Sequence, residues 1–247
     1  MDPLKFTTIA HRDHRLMNPL DPQALVQALE RVAPAPGDRA IDVGCGKGVL
    51  LVTLAKRYGT AGLGVDINPA FIAEALALAF RLDVVALVKL VEGDASALDP
   101  APASFDLGIC IGAAHALGGY PGTLRGLSRL VRPGGHLLVG QGYWKHPPAP
   151  EYLERLGACE DEMTTHEGNI AAGIAHGLAE RGAWVSGDQD WDRYEDLYAN
   201  SVEDYVAEHP GDPDSQAMRE RIGRWRDTTL RWGRETLGFG LYLFERA

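Results

Sequence analysis

Apolar positions along the chain change period several times, and each change predicts an element. Leu25, Val26, Leu29 and Val32 recur at helical spacing behind Asp21-Pro22, an N-cap followed by proline at the first helical position, and Pro34-Ala-Pro36-Gly37 stops that helix. From residue 39 short apolar runs alternate with amphipathic stretches. The runs Ala40–Val43, Leu63–Asp66, Val88–Glu92, Phe105–Gly112 and His136–Gly140, each bounded by turn formers, predict strands. Between them, Leu50, Leu51, Leu54, Ala55 and Tyr58 share one helical face. Asn68-Pro69 caps a helix carrying Phe71, Ile72, Ala75, Leu76, Ala79 and Phe80; Pro121 opens another, with Leu124, Leu127, Leu130 and Val131, closed by Arg132-Pro-Gly-Gly135. This is the rhythm of βα units, a parallel sheet covered on both faces.

After Trp144 a proline-rich turn leads to Ile170, Ile174 and Leu178 at helical spacing, then to strands at Ala183–Ser186 and Phe239–Phe244. The stretch between those strands is unlike the rest. Residues 192–214 hold eight acids against one arginine, residues 219–234 hold six arginines, and His209-Pro-Gly-Asp-Pro213 divides them. Tyr194, Leu197, Tyr198, Tyr205 and Val206 on one side, and Ile222, Trp225 and Trp232 on the other, predict a helical hairpin of complementary charge, a lid. The expected organisation is an N-terminal helical arm (1–36), a Rossmann-like α/β core (37–191), a helical lid insertion (192–237) and a last core strand (238–247). The sheet has seven mostly parallel strands with helices on both faces.

Composition narrows the function. With 247 residues, 45% of them hydrophobic, the chain can bury a sizeable core. A formal net charge of −10 disfavours a phosphate polymer, so no nucleic-acid partner is expected. Three cysteines (Cys45, Cys110, Cys159) without a C-x-x-C spacing encode neither a disulfide framework nor a zinc knuckle, which suits a reducing cytoplasm. Glu74 interrupts the most apolar stretch, Phe71–Phe80, well short of a membrane span.

The candidate chemistry lies at the strand ends. Ala40-Ile-Asp-Val-Gly44-Cys-Gly46-Lys-Gly48 runs from a strand through a glycine turn into a helix, a place where backbone can approach a ligand. Val49 occupies the third glycine's place of a dinucleotide fingerprint, and Asp42 would set a carboxylate beside a pyrophosphate. A positively charged group, an ammonium or a sulfonium, suits Asp42 better. Asp66, 22 positions beyond Gly44, can accept from both ribose hydroxyls, and Asp94 can accept from an exocyclic amine of a base. Together the three acceptors describe adenosine joined to a cationic amino acid, S-adenosylmethionine.

Ile-Asp-Val-Gly-Cys-Gly-Lys-Gly, Gly64-Val-Asp-Ile-Asn-Pro69, Glu92-Gly-Asp-Ala, Phe105-Asp-Leu-Gly-Ile-Cys-Ile-Gly112 and Leu130-Val-Arg-Pro-Gly-Gly-His-Leu-Leu-Val139 resemble, in order and spacing, the motifs of class I S-adenosylmethionine-dependent methyltransferases. The outer segments His11-Arg-Asp-His-Arg-Leu-Met-Asn-Pro19, Gly142-Tyr-Trp144 and Trp191-Asp-Arg-Tyr-Glu195 resemble a bacterial branch of small-molecule methyltransferases. The resemblance implies that Asp42 with Gly44, Cys45, Gly46 and Gly48 holds the methionine portion, Asp66 the ribose, and Asp94 with Ala95 the adenine; Ile67 and Ile111 complete the implied cofactor site. The implied reaction is an in-line displacement of the methyl group, for which the protein aligns and desolvates the acceptor.

Other residues carry two readings each. His115, past the fourth strand, is a candidate base or a structural histidine. Tyr143 and Trp144 after the fifth strand, with Trp191 and Tyr194, are candidate pocket walls able to hold a cationic amine, or lid packing. His11, Arg12 and Asn18 are candidates to close over cofactor or acceptor from the N-terminal side. His11 and His14 lack a third ligand nearby, so no metal is expected. Cys45 reads as a space-filler and Lys47 as a solvated helix-start residue. The expected acceptor is a small molecule whose receiving atom the residues do not specify. A non-catalytic sensor of the same cofactor, and a nicotinamide-dependent oxidoreductase disfavoured by Asp42 and Val49, are the alternatives.

Overall fold

In the computed structural model, which describes residues 1–247, seven segments pair into one sheet: β1 (Arg39–Val43), β2 (Ala61–Asp66), β3 (Val88–Glu92), β4 (Phe105–Ile111), β5 (Val131–Trp144), β6 (Leu178–Val185) and β7 (Leu237–Arg246). The order is β3-β2-β1-β4-β5-β7-β6. The first five run parallel, and β7 lies antiparallel between β5 and β6. This is the expected seven-stranded, mostly parallel α/β sheet.

Alternation along each strand builds a core on either face. Ala40, Leu107, Ile109, Leu138, Leu241 and Leu243 pack with α2 (Pro22–Val32), α3 (Val49–Tyr58) and α4 (Pro69–Arg81). Their neighbours Ile41, Val43, Leu137, Val139, Tyr242 and Phe244 face α5 (Gly119–Leu130); after the short α6 (Pro150–Leu156), Ile170 and Ala172 of α7 (His166–Ala175) lie against them. Three helices begin alike, with Asp2, Asp21 or Asn68 accepting from the backbone and proline at the first position.

Two boundaries differ from expectation. Arg132-Pro-Gly-Gly135 does not form a separate helix stop: α5 ends at Leu130 and β5 starts at once, with a bulge in which Phe105–Leu107 of β4 is matched by Val131–His136 of β5. At its other end β5 continues through Tyr143 and Trp144, held by pairing with Gly238 and Leu237. Leu178, expected on a helix, opens β6 instead, because Gly177 in the left-handed region (φ +78°) ends the preceding segment.

A third core lies off the sheet. Phe6, Ile9 and Ala10 of α1 (Pro3–Ala10) pack on Ala199, Val202 and Val206 of α8 (Asp188–Glu208) and on Met218 and Ile222 of α9 (Ser215–Thr228). The hairpin's charges are not simply self-complementary. Arg226 reaches Glu203 and Arg234 reaches Asp192, but Asp212 and Asp214 take Lys5, and Asp204 and Glu208 take Arg12, all from the arm. Arg221 lies over the Phe6 ring at 4.0 Å. No helix is long and apolar enough to cross a membrane.

Candidate active site at the strand tips

The carboxyl ends of β1, β2 and β4, with the loop after β3, open on a cleft of about 650 Å³. Its walls include Gly44, Asp66, Ile67, Asp94, Ala95, Ser96, Ile111 and His115. The arm supplies Leu4, Thr7, His11 and Met17. A smaller recess of about 60 Å³, lined by Arg15, Asn18, Asp42, Cys45 and Lys47, shares Met17, Gly44 and Ile111 with the cleft. The expected acceptors are therefore brought to one place, Asp42 in the recess and Asp66 and Asp94 along the cleft.

The three carboxylates are held differently. Asp66 Oδ2 accepts from the Gly46 amide at 2.8 Å and Oδ1 from the Asn68 amide at 2.9 Å, so the group is fixed while each oxygen keeps a further lone pair. Asp94 caps a 3₁₀ turn at Ala95–Ala97 through the Ser96 amide at 2.8 Å; that bond holds its carboxyl below the usual range. Asp42 is 5% exposed, and burial together with the Asp66 charge pushes it up to about 7. A buried carboxylate under such strain favours a cation brought to it.

The glycine turn also packs protein on protein. Gly44 has φ +70°, and a Cβ there would stand 2.2 Å from Ala113 Cβ; at Gly46 the corresponding place is filled by Met17 Cε at 2.0 Å. Packing of β1 on the β4 tip thus requires glycine at 44, whereas at 46 the left-handed backbone (φ +51°) requires it, the Met17 methyl being the free end of a flexible side chain. Cys45 is buried, its amide bonded to the Val65 carbonyl at 3.0 Å and its thiol pushed up by burial, as befits a space-filler.

Lys47, expected to be solvated, is not: at 7% exposed it pairs with Glu74 at 2.9 Å and donates to the Arg12 carbonyl at 2.9 Å. It thereby pins the arm to the loop. Asn68 adds a second tether, donating from Nδ2 to Thr8 Oγ1 at 2.9 Å. The Asp2-Pro3 signature, identical in kind to Asp21-Pro22, is the signal that defines α1 and with it these contacts.

His11 lies at the junction of arm, cleft and hairpin. Its Nδ1 is 3.0 Å from the Thr7 carbonyl, which can only accept, and Nε2 is 3.2 Å from the Tyr194 hydroxyl. Burial pushes the ring down to about 4. A neutral ring donating from Nδ1 leaves Nε2 to accept from the Tyr194 O–H. His14 is buried beside it, with Nε2 donating to the Tyr194 carbonyl at 3.0 Å. The Arg12 side chain turns away toward Asp13, Asp204 and Glu208.

His115 stands exposed on the cleft wall in a 3₁₀ turn after β4. The aromatic candidates do not gather there. Tyr143 lies inside β5, its ring packed over Gly238 and 5.4 Å from His166. Trp144 is buried against Tyr152 and donates to the Glu160 carbonyl at 2.9 Å. Both were expected beyond the strand end; the longer β5 draws them into the sheet. Trp191 lines a recess between the hairpin and Tyr152, and Tyr194 hydrogen-bonds the arm.

The fold and this arrangement have counterparts. A family model described as a methyltransferase domain matches residues 40–135. The uncharacterized protein YjhP of Escherichia coli K12 is 28% identical over 98% of this chain and 98% of its own. A solved methyltransferase from Geobacter sulfurreducens, in complex with S-adenosyl-L-homocysteine, superposes with TM-score 0.91 at 27% identity over 98% of each chain. A ubiquinone biosynthesis O-methyltransferase of Ralstonia nicotianae is 28% identical over 54% of this chain and 58% of that enzyme. With the strand-tip cleft, the glycine turn and the sheet order, these likenesses make the chain a class I S-adenosylmethionine-dependent methyltransferase.

Proposed function

We propose that this methyltransferase acts on a small-molecule acceptor held at the strand tips beneath a cap, the arm (residues 1–36) braced from behind by the hairpin (192–237), which itself contributes no wall to the cleft. The observation that carries the reading is the pinned arm. Met17 reaches to Gly46, Lys47 holds the Arg12 carbonyl, and the walls bound about 650 Å³. That is the scale of a nucleoside cofactor and a metabolite, not of a duplex or a protein surface. The likeness to an O-methyltransferase of ubiquinone biosynthesis supports a small acceptor.

When bound, S-adenosylmethionine supplies a methyl group activated on a sulfonium. Within the site we assign the cofactor's cationic tail to Asp42, with Arg15 and Asn18 of the same recess toward its carboxylate. Asp66 takes the ribose hydroxyls on its free lone pairs; Asp94, Ala95 and Ser96 form the rim for the base, and Ile67 and Ile111 its apolar flanks. Where the receiving atom must lose a proton, the base is His115, the exposed imidazole on the wall. His11 has both nitrogens engaged, by Thr7 and by Tyr194. Desolvation and alignment are left to the cap.

Incubation with methyl-labelled cofactor and a fractionated cell extract tests the acceptor class. Label should enter the metabolite fraction; label in protein or nucleic acid overturns the reading. His115→Ala should keep S-adenosylhomocysteine affinity and lower the rate by roughly 10²–10⁴-fold, and a wild-type rate removes the base role.

A further inference from the structure

A separate recess lies between the hairpin and the segment that carries Tyr152. A cavity of about 100 Å³ is walled by Trp191 and Glu195 of α8, Trp225 of α9 and Tyr152, and it shares no lining residue with the cleft. Two buried atoms among these residues have no partner, Glu195 Oε1 and Trp191 Nε1. The other Glu195 oxygen accepts from Trp225 Nε1 at 2.5 Å. Burial, with Asp196 adding to it, pushes Glu195 up to about 7.

No protein cation satisfies that oxygen. The two arginines on the wall are committed elsewhere, Arg226 to Glu203 at 3.0 Å and Arg234 to Asp192 at 2.8 Å. Beside these two arginines the wall sets the acids Asp192 and Asp196 as well as Glu195, so it holds no surplus of positive charge. Indole and phenol rings attract a cation through their π faces, and a carboxylate oxygen in such surroundings needs a positive donor. An anion finds no uncommitted cation on the wall, and a purely apolar guest leaves both polar atoms unpaired.

We propose that this cavity binds a compact organic ammonium ion, its charged nitrogen against Glu195 Oε1 among the Trp191, Trp225 and Tyr152 rings, with an adjacent ligand oxygen accepting from Trp191 Nε1. The site stands apart from the methyl-transfer cleft, so its test does not depend on turnover or on the acceptor.

Choline and its uncharged carbon analogue 3,3-dimethylbutan-1-ol have the same shape and the same hydroxyl, and calorimetric titration of the full chain with each isolates the charge. Choline should bind more tightly by roughly tenfold or more, the scale of a desolvated cation–π and carboxylate contact. Glu195→Gln should bring the two affinities together while S-adenosylhomocysteine binds as to wild type. If that variant fails to bind S-adenosylhomocysteine, and so is misfolded, the wild-type comparison still decides, read with the indole N–H resonance of Trp191, which choline should shift. Equal affinity for the two probes, binding of neither, or a preference that survives in folded Glu195→Gln assigns the cavity to water and overturns the proposal.

Discussion

At the strand tips, polar groups are fixed by nearby backbone: Asp66 takes amides of Gly46 and Asn68, and Asp94 that of Ser96. In the cap, side chains meet groups far along the chain. His14 reaches Tyr194 across 180 positions and Lys5 reaches Asp212 across 207. The first region is rigid by local geometry, whereas the second holds only as long as its own small core does. The cleft is assembled from both, so ligand affinity should report on two separable kinds of order.

The largest expected effect breaks the cap. Phe6 is 1% exposed in the core of α1, α8 and α9, and Phe6→Ala should remove about 3–5 kcal/mol from that cluster. Hydrogen exchange should rise through residues 1–20 while the amides of β1 and β4 stay protected. S-adenosylhomocysteine should bind more weakly, because Leu4, Thr7, His11 and Met17 line the cleft. Undocking with undiminished affinity would separate the cap from the site.

Next comes the strand-tip side. Asp66→Ala removes acceptors worth about 1.5–3 kcal/mol as charge-assisted bonds, so the S-adenosylhomocysteine dissociation constant should rise roughly 10- to 100-fold. An unchanged constant in calorimetry removes the ribose assignment.

Acidity singles out Asp42. Asp42 is raised to about 7, so below that pH it carries a proton which a cationic tail must displace. S-adenosylhomocysteine affinity should therefore climb by up to about tenfold per pH unit toward 7 and flatten above it, with proton release visible in buffers of different ionisation enthalpy. Asp42→Asn should abolish the slope. For folding without ligand the sign is opposite. A raised folded-state carboxyl stabilises the chain below its ordinary value and loses that contribution as pH rises through 7.

The same contrast explains what sequence could tell. Each strand-tip group sits within a few residues of its own strand, so the glycine turn, Asp42, Asp66 and the order of βα units were legible from spacing alone. Tyr143 and Trp144 were misplaced because the length of β5 is set by pairing with β7, about a hundred residues on. Lys47 was misread because its burial depends on Arg12 and Glu74, which no local pattern ties to it. The hairpin's acids looked self-paired because the arm's claim on them is visible only in three dimensions.

The smallest expected effect concerns how the arm is tethered. Arg12 makes surface ion pairs to Glu208 and Asp204, yet its carbonyl also receives the buried Lys47 ammonium. Arg12→Ala deletes only the former, and because exposed pairs are screened by solvent it should cost less than about 1 kcal/mol, with cofactor affinity nearly unchanged. Lys47→Met deletes the latter while keeping the apolar stem, and leaves the Arg12 carbonyl and Glu74 without their partner. It should loosen residues 11–18 in hydrogen exchange and weaken S-adenosylhomocysteine binding more than Arg12→Ala does. The reverse ranking would mean that the arm is held by its surface charges, and that the backbone-anchored order of the strand tips ends at the glycine turn.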